Sequence, residues 1–137
     1  MTEEVFKLPI RIYYEDTDAG GIVYYANYLK FAERARTEFL RHMGFEQSED
    51  LEDEARFAFV VRKVEAEYLK PSKLDDLIEM TCEVEEIKGA SIVCKQEVIC
   101  KGETRIKIKV TAVYVSLAKM RPVRVPDEMM KKCLNNE

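Results

Sequence analysis

Asp18, the glycine pair Gly20-Gly21 and the start of a long helical pattern near Tyr25 fall within a few residues of one another. Glycines let a substrate approach the backbone closely. A helix start adds N–H groups without intrahelical partners and with partial positive charge. An ionised carboxylate beside such donors can activate water or attack a carbonyl, while the donors hold the oxyanion that forms. The chemistry is acyl transfer without metal or histidine. Thioesters suit it best, because their carbonyl is more electrophilic than that of an ester.

Other readings of the loop compete. Asp16-Thr17-Asp18-Ala19-Gly20-Gly21 opens like an EF-hand, yet Gly20 occupies the fifth loop position and Asn27, not a bidentate glutamate, the twelfth. That excludes calcium. A nucleotide cradle would need a Walker lysine or a GxGxxG within a βαβ unit, and neither is present. Asp18 as a plain helix cap or turn brace, the role most acids before helices play, fits the spacing better. On residue spacing alone, capping stands ahead of catalysis.

The flanking sequence supplies the elements that position this loop. Ile10 to Tyr14, after Pro9, is β-prone, and the glycines break it. From Tyr25, the residues Tyr28, Leu29, Ala32, Ala35, Phe39 and Met43 follow helical spacing up to Gly44, which predicts one long amphipathic helix. Ser48 to Glu54 reads as a short acidic surface helix capped by Ser48. Beyond Arg56 the period becomes 2. Val60, Val64, Ala66 and Tyr68 share one side of a strand ended by Pro71; Ile78, Met80, Cys82 and Val84 alternate in a second. Ala90, Ile92, Cys94, Val98 and Cys100 alternate less strictly in a third, and Ile106 to Ala112 alternates most cleanly. With short links at Gly89 and Gly102, these four strands read as an antiparallel meander with one polar face. Pro126 to Leu134 predicts a final helix. The expected architecture is α+β, one long helix against one curved antiparallel sheet whose edges invite pairing into a homo-oligomer.

Bulk properties narrow the function classes. A chain of 137 residues, 47% hydrophobic, builds one domain over residues 1–137 with a real core. Its net charge of −4 supplies no field for nucleic acid or anionic membranes. No apolar run is long enough to span a bilayer and the first residues are acidic rather than signal-like, so the expected location is cytoplasmic. Four cysteines without CxxC spacing and a single histidine, His42, predict buried thiols and no metal site.

The stretch Arg11 to Tyr28, continuing through Phe31-Ala32-Glu33-Arg34-Ala35-Arg36-Thr37-Glu38, closely resembles the signature of the hotdog-fold acyl-CoA thioesterases. The branch it resembles most is the YbgC type, with 4-hydroxybenzoyl-CoA thioesterase as a cousin. Tyr68-Leu69-Lys70-Pro71-Ser72-Lys73-Leu74-Asp75-Asp76 is similar to that family's link between the second and third strands, so the likeness runs over nearly the whole chain. It implies a hotdog fold, a curved five-stranded sheet wrapped around the central helix, and hydrolysis of an acyl-CoA to free acid and coenzyme A with no external cofactor and no metal.

Carried over by position, Asp18 matches the family's catalytic carboxylate and Tyr25 the residue whose backbone N–H polarises the thioester carbonyl. Many YbgC-type members have histidine where this chain has Tyr25, a change that a backbone role survives. Tyr14 matches a family position near the site and would orient Asp18 through its hydroxyl; a core aromatic is the alternative. Gly20 and Gly21 would admit the substrate. Arg62, Lys70, Lys88 and Ser91 are the candidates to hold the nucleotide end of coenzyme A. The resemblance also places the active site at a dimer interface, in a dimer or tetramer, with acyl carrier protein as an alternative thiol carrier. The rival function is a non-catalytic acyl-binding hotdog scaffold.

Overall fold

The computed structural model describes residues 5–135. In chain order it contains β1 (Phe6–Arg11), a 3-10 turn (Tyr14–Asp16), α1 (Asn27–His42), α2 (Gln47–Glu52) and β2 (Phe57–Tyr68). These are followed by β3 (Leu77–Lys88), β4 (Ser91–Cys100), β5 (Glu103–Ser116), β6 (Arg121–Pro122) and α3 (Asp127–Asn135). One antiparallel sheet has the order β1-β3-β4-β5-β2, with β6 appended to β5. Helix α1 packs across one face, burying Tyr28, Phe31, Ala32, Ala35, Phe39 and Leu40. This is the expected α+β arrangement.

Helix α1 ends as its sequence demands. Gly44 takes φ +96°, its N–H donates to the Arg41 carbonyl, and the Phe45 N–H reaches back to the Leu40 carbonyl. This is the Schellman closure that glycine permits.

Several sequence-based expectations are corrected. The first strand is Phe6–Arg11, not Ile10 to Tyr14, and Pro9 lies inside it opposite Glu79. An edge strand has every second N–H facing outward, so a proline there costs no ladder bond. Helix α2 begins at Gln47 with Glu46 at its N-cap, and no side-chain cap bond forms, so Ser48 is not the cap. Only β3, β4 and β5 form a meander; β2 crosses over to pair with β5 at the far edge. Strand β2 carries a bulge between Val61 and Lys63, and its apolar residues Val60, Val64 and Tyr68 are exposed rather than in the core.

The imperfect alternation of β4 has a cause. Residues Ile92, Cys94, Gln96, Val98 and Cys100 all point inward, and the polar one, Gln96, is fully buried. Its Nε2 donates to the Ala32 carbonyl at 2.9 Å and to the Thr81 carbonyl at 3.3 Å, and its Oε1 accepts from Arg36 Nη1 at 3.0 Å. Gln96 thus fastens the middle of α1 to the sheet. Gln96→Leu keeps the volume but strands these partners, and is expected to cost about 1–3 kcal/mol in urea unfolding.

All four cysteines are buried and free. Burial pushes the Cys133 thiol up to about 12. Cys82 is raised as well, by its hydrogen bond to Cys94 and then by burial. Native protein at pH 8 is therefore expected to react with a thiol reagent only after denaturant is added. Rapid labelling of Cys82 or Cys133 without denaturant would contradict this packing.

Candidate active site

The loop after β1 closes through residues that the sequence places side by side. Thr17 bridges Val23, the Asp18 N–H donates to the Ile22 carbonyl at 2.8 Å, and the Gly21 N–H donates to the Asp18 carbonyl at 3.0 Å. Gly21 adopts φ +81°, the left-handed conformation that ends this tight turn. Within the turn, the Gly20 N–H donates to Asp18 Oδ1 at 2.8 Å. That Asx-type bond fixes the carboxylate and leaves Oδ2 without a partner among the described residues. Gly20 is needed for room, because a Cβ there would lie 3.2 Å from Asp18 Oδ1.

The loop is pinned against the helix start and against the segment after β2. The Asp16 carbonyl accepts from the Tyr24 N–H at 3.0 Å and from Asn27 Nδ2 at 2.9 Å. The Val23 N–H donates to the Ser72 carbonyl, and the Ser72 N–H donates to the buried Tyr28 hydroxyl at 3.0 Å. Asn27 and Tyr28 are structural residues of the site to which sequence reasoning assigned no role. An asparagine at a helix start was the available signal for the first.

The free donors lie just before the helix, not within it. Helix α1 starts at Asn27 with Ala26 as N-cap, and the N–H groups of Asn27, Tyr28 and Leu29 bond back to the carbonyls of Tyr24, Tyr25 and Ala26. Among the described residues, the N–H groups of Tyr25 and Ala26 make no hydrogen bond. They are the two donors at this end of α1 open to a ligand. The Tyr25 ring is exposed, 6.1 Å from the Tyr68 ring, and the Tyr68 hydroxyl donates to the Tyr25 carbonyl at 3.4 Å. Burial raises the Tyr68 hydroxyl above the ordinary tyrosine value, so it stays a protonated donor at neutral pH.

The remaining sequence candidates separate in space. Tyr14 is 82% exposed, which removes the core-aromatic alternative, and its hydroxyl makes no bond to Asp18 among the described residues. Lys70 lies beside the loop's docking segment but is ion-paired with Glu103 at 2.7 Å. Arg62 is the extra residue of the β2 bulge. Lys88 and Ser91 face each other across the β3–β4 turn. The loop docks near the other end of β3, and the 12 residues of that strand span roughly 35 Å. Within one chain, Asp18, Gly20 and Gly21 share one turn and Tyr25 follows it at the entry to α1, whereas Lys88 and Ser91 lie at the far end of β3. His42 is also remote, at the far end of α1 against the Phe6 ring.

Comparison with known proteins places the chain in a family. The family model described as the thioesterase-like superfamily matches residues 13–133. The acyl-CoA thioesterase YbgC of Haemophilus influenzae is 46% identical over 129 residues, covering 94% of each chain. The acyl-CoA thioester hydrolase YbgC of Escherichia coli O157:H7 is 43% identical over 131 residues, 95% of this chain and 96% of that one. Among solved structures, a Bartonella henselae protein called "Probable Thioesterase" superposes with a TM-score of 0.85 at 30% identity, covering 90% of this chain and 100% of the other. The chain belongs to the thioesterase-like superfamily, alongside the YbgC acyl-CoA thioesterases.

Proposed function

We propose that the chain hydrolyses acyl-CoA thioesters with Asp18 and the Tyr25 backbone as its reacting groups. The observation that carries this reading is a carboxylate held in place by the Gly20 N–H, in the turn that leads to the two unbonded N–H groups preceding α1. Asp18 acts on the thioester carbonyl carbon, directly or through a water whose proton it takes. The carbonyl oxygen gains charge as the carbon becomes tetrahedral, and the Tyr25 N–H, with Ala26 beside it, stabilises that charge. The C–S bond then breaks and the thiolate leaves to be protonated. Water supplies the second oxygen of the acid, and no external cofactor is consumed.

The partner calls follow the same reading. Strand β2 is an edge strand that exposes Val60, Val61, Val64 and Tyr68, and such an edge is covered by pairing with a second copy. This supports a homo-oligomer, a dimer or a tetramer of dimers, with the site near the covered edge because Tyr25 touches Tyr68. Light scattering reads the assembly as a mass of two or four chains. No helix among the described residues is long and apolar enough to cross a membrane. Four free thiols fit the reducing cytoplasm. Acyl carrier protein is the alternative thiol carrier.

The second reading, an acyl-binding scaffold without turnover, is favoured by tyrosine in place of histidine at position 25. Release of free thiol from short, long and aromatic acyl-CoAs decides between them. Turnover of at least one substrate supports the enzyme, and no release from any member of the panel supports the scaffold.

A further inference from the structure

Where α1, α2 and the sheet meet there is a cavity of about 40 Å³. Phe39 of α1 and the sheet residues Phe59, Ile92 and Ala112 give it apolar walls, and Arg36 and Gln47 are the polar side chains with free donors that border it. The volume holds about three water-sized groups. No acid of the described residues borders it.

Burial sets Arg36 apart from the other cations. Of the 22 lysines and arginines, all but Arg36, Arg105 and Lys132 are exposed. Arg105 pairs with Glu103 at 2.9 Å and Lys132 with Glu128 at 3.4 Å. Arg36 makes no ion pair among the described residues; its Nη1 donates to the neutral Gln96 Oε1 at 3.0 Å. A charge drawn partly out of water is held better by an opposite charge than by a neutral oxygen alone. Its field crosses the cavity: the Cys94 thiol, which also lines it, is lowered chiefly by its bond to Cys82 and further by Arg36. Gln47 adds a second donor. Its Oε1 accepts from Thr37 Oγ1 at 3.2 Å, which leaves the Nε2 amide without a partner among the described residues.

A cation and an amide donor at the edge of an apolar cavity match one ligand class. We propose that this cavity binds a small free carboxylate of about two or three carbons, its oxygens on Arg36 and Gln47 and its apolar tail between Phe39, Phe59, Ile92 and Ala112. The carboxylate supplies the counter-charge that the protein does not. Arg36 lies roughly 14 Å along α1 from Asn27, where the helix starts, so the Asp18 turn takes no part in this site. Binding here does not rest on the thioesterase reading.

The test is a titration of the isotope-labelled full chain with sodium propionate, read in amide NMR spectra. The amides of Phe39, Ile92 and Ala112 are expected to shift saturably with a Kd of about 1 mM, an affinity within reach of so few non-hydrogen atoms. Sodium chloride at equal concentration should leave them in place. Propionamide, which has the tail without the charge, should bind at least about tenfold more weakly. Arg36→Gln is expected to weaken propionate about tenfold. Ala112→Val leaves Arg36 untouched and adds two methyl groups to the cavity wall, so it should abolish binding and keeps the test decisive even where Arg36→Gln disturbs the fold. Asp18→Asn should bind as wild type does. Absence of saturable shifts in wild type overturns the proposal, as do shifts confined to the Asp18 turn, equal binding of chloride or propionamide, or full affinity in Ala112→Val. Turnover plays no part in the titration, so an inactive wild type that binds propionate in this way would overturn the thioesterase reading alone.

Discussion

Asp18→Asn is expected to lower kcat by about 10²–10⁴-fold, the range associated with a positioned proton-transfer group. The substitution is unusually clean here. An asparagine Oδ1 still accepts the Gly20 N–H that holds the carboxylate at 2.8 Å, so the turn keeps its shape and only charge and basicity are lost. Melting temperature and circular dichroism should match wild type while thiol release collapses. Activity within tenfold of wild type would remove Asp18 from the reaction. Gly20→Ala is the complementary probe: its Cβ would press on Oδ1 from 3.2 Å, and a loss of activity with the carboxylate intact would show that placement matters.

The second large effect is expected from Tyr25→Pro, which deletes one backbone N–H. Removing an oxyanion donor costs about 10²–10³-fold in kcat. The turn geometry accommodates a proline here. The Asn27 N–H donates to the Tyr24 carbonyl at 2.9 Å, and Ala26 has φ −70° and ψ −20°, so Tyr25 occupies the second position of a tight turn, where proline is favoured. Stability should therefore be nearly retained while kcat falls. Tyr25→Phe keeps the N–H and should stay within about twofold of wild type. Equal losses for phenylalanine and proline would assign the function to the phenol instead.

These variants bear on the point where this chain departs from its relatives' pattern. Every residue but proline presents an N–H, so a tyrosine in place of histidine leaves a backbone donor untouched. What Tyr25 adds is its ring, part of an exposed aromatic group with Tyr24 and Tyr68 at the mouth of the site. In the proposed mechanism the thioester carbonyl is polarised at Tyr25, so aromatic contacts there would bear on substrate preference more than on the chemical step.

Much of the fold could be read in one dimension because the signals were local. Helix α1 was visible from its apolar spacing and its end from Gly44; β3 and β5 were visible from period-2 alternation, and α3 from Pro126. The misreadings arose where a distant partner overrode a local cue. Pro9 looked like a strand boundary, yet it sits within an edge strand whose only neighbour is β3, more than sixty residues away. Gln96 blurred the alternation of β4 because a buried amide is tolerable only with partners, and those partners are on α1 and β3. Strand β2 looked like the neighbour of β3 because adjacent strands usually pair, whereas it crosses the sheet to β5 and leaves its valines on the surface.

The sequence by itself determined the identities at the site: an acid, two glycines and a helix start, in an order that excludes calcium and nucleotide cradles and matches a thioesterase signature. Tertiary structure decided which groups are available. Helix-start donors inside α1 turned out to be spent on the preceding carbonyls, leaving those of Tyr25 and Ala26 without a bond among the described residues, and Lys70 turned out to be ion-paired with Glu103. Residue type and spacing along the chain fix what chemistry is possible. Whether a donor or a charge is already satisfied depends on neighbours that only the folded chain brings within hydrogen-bonding distance.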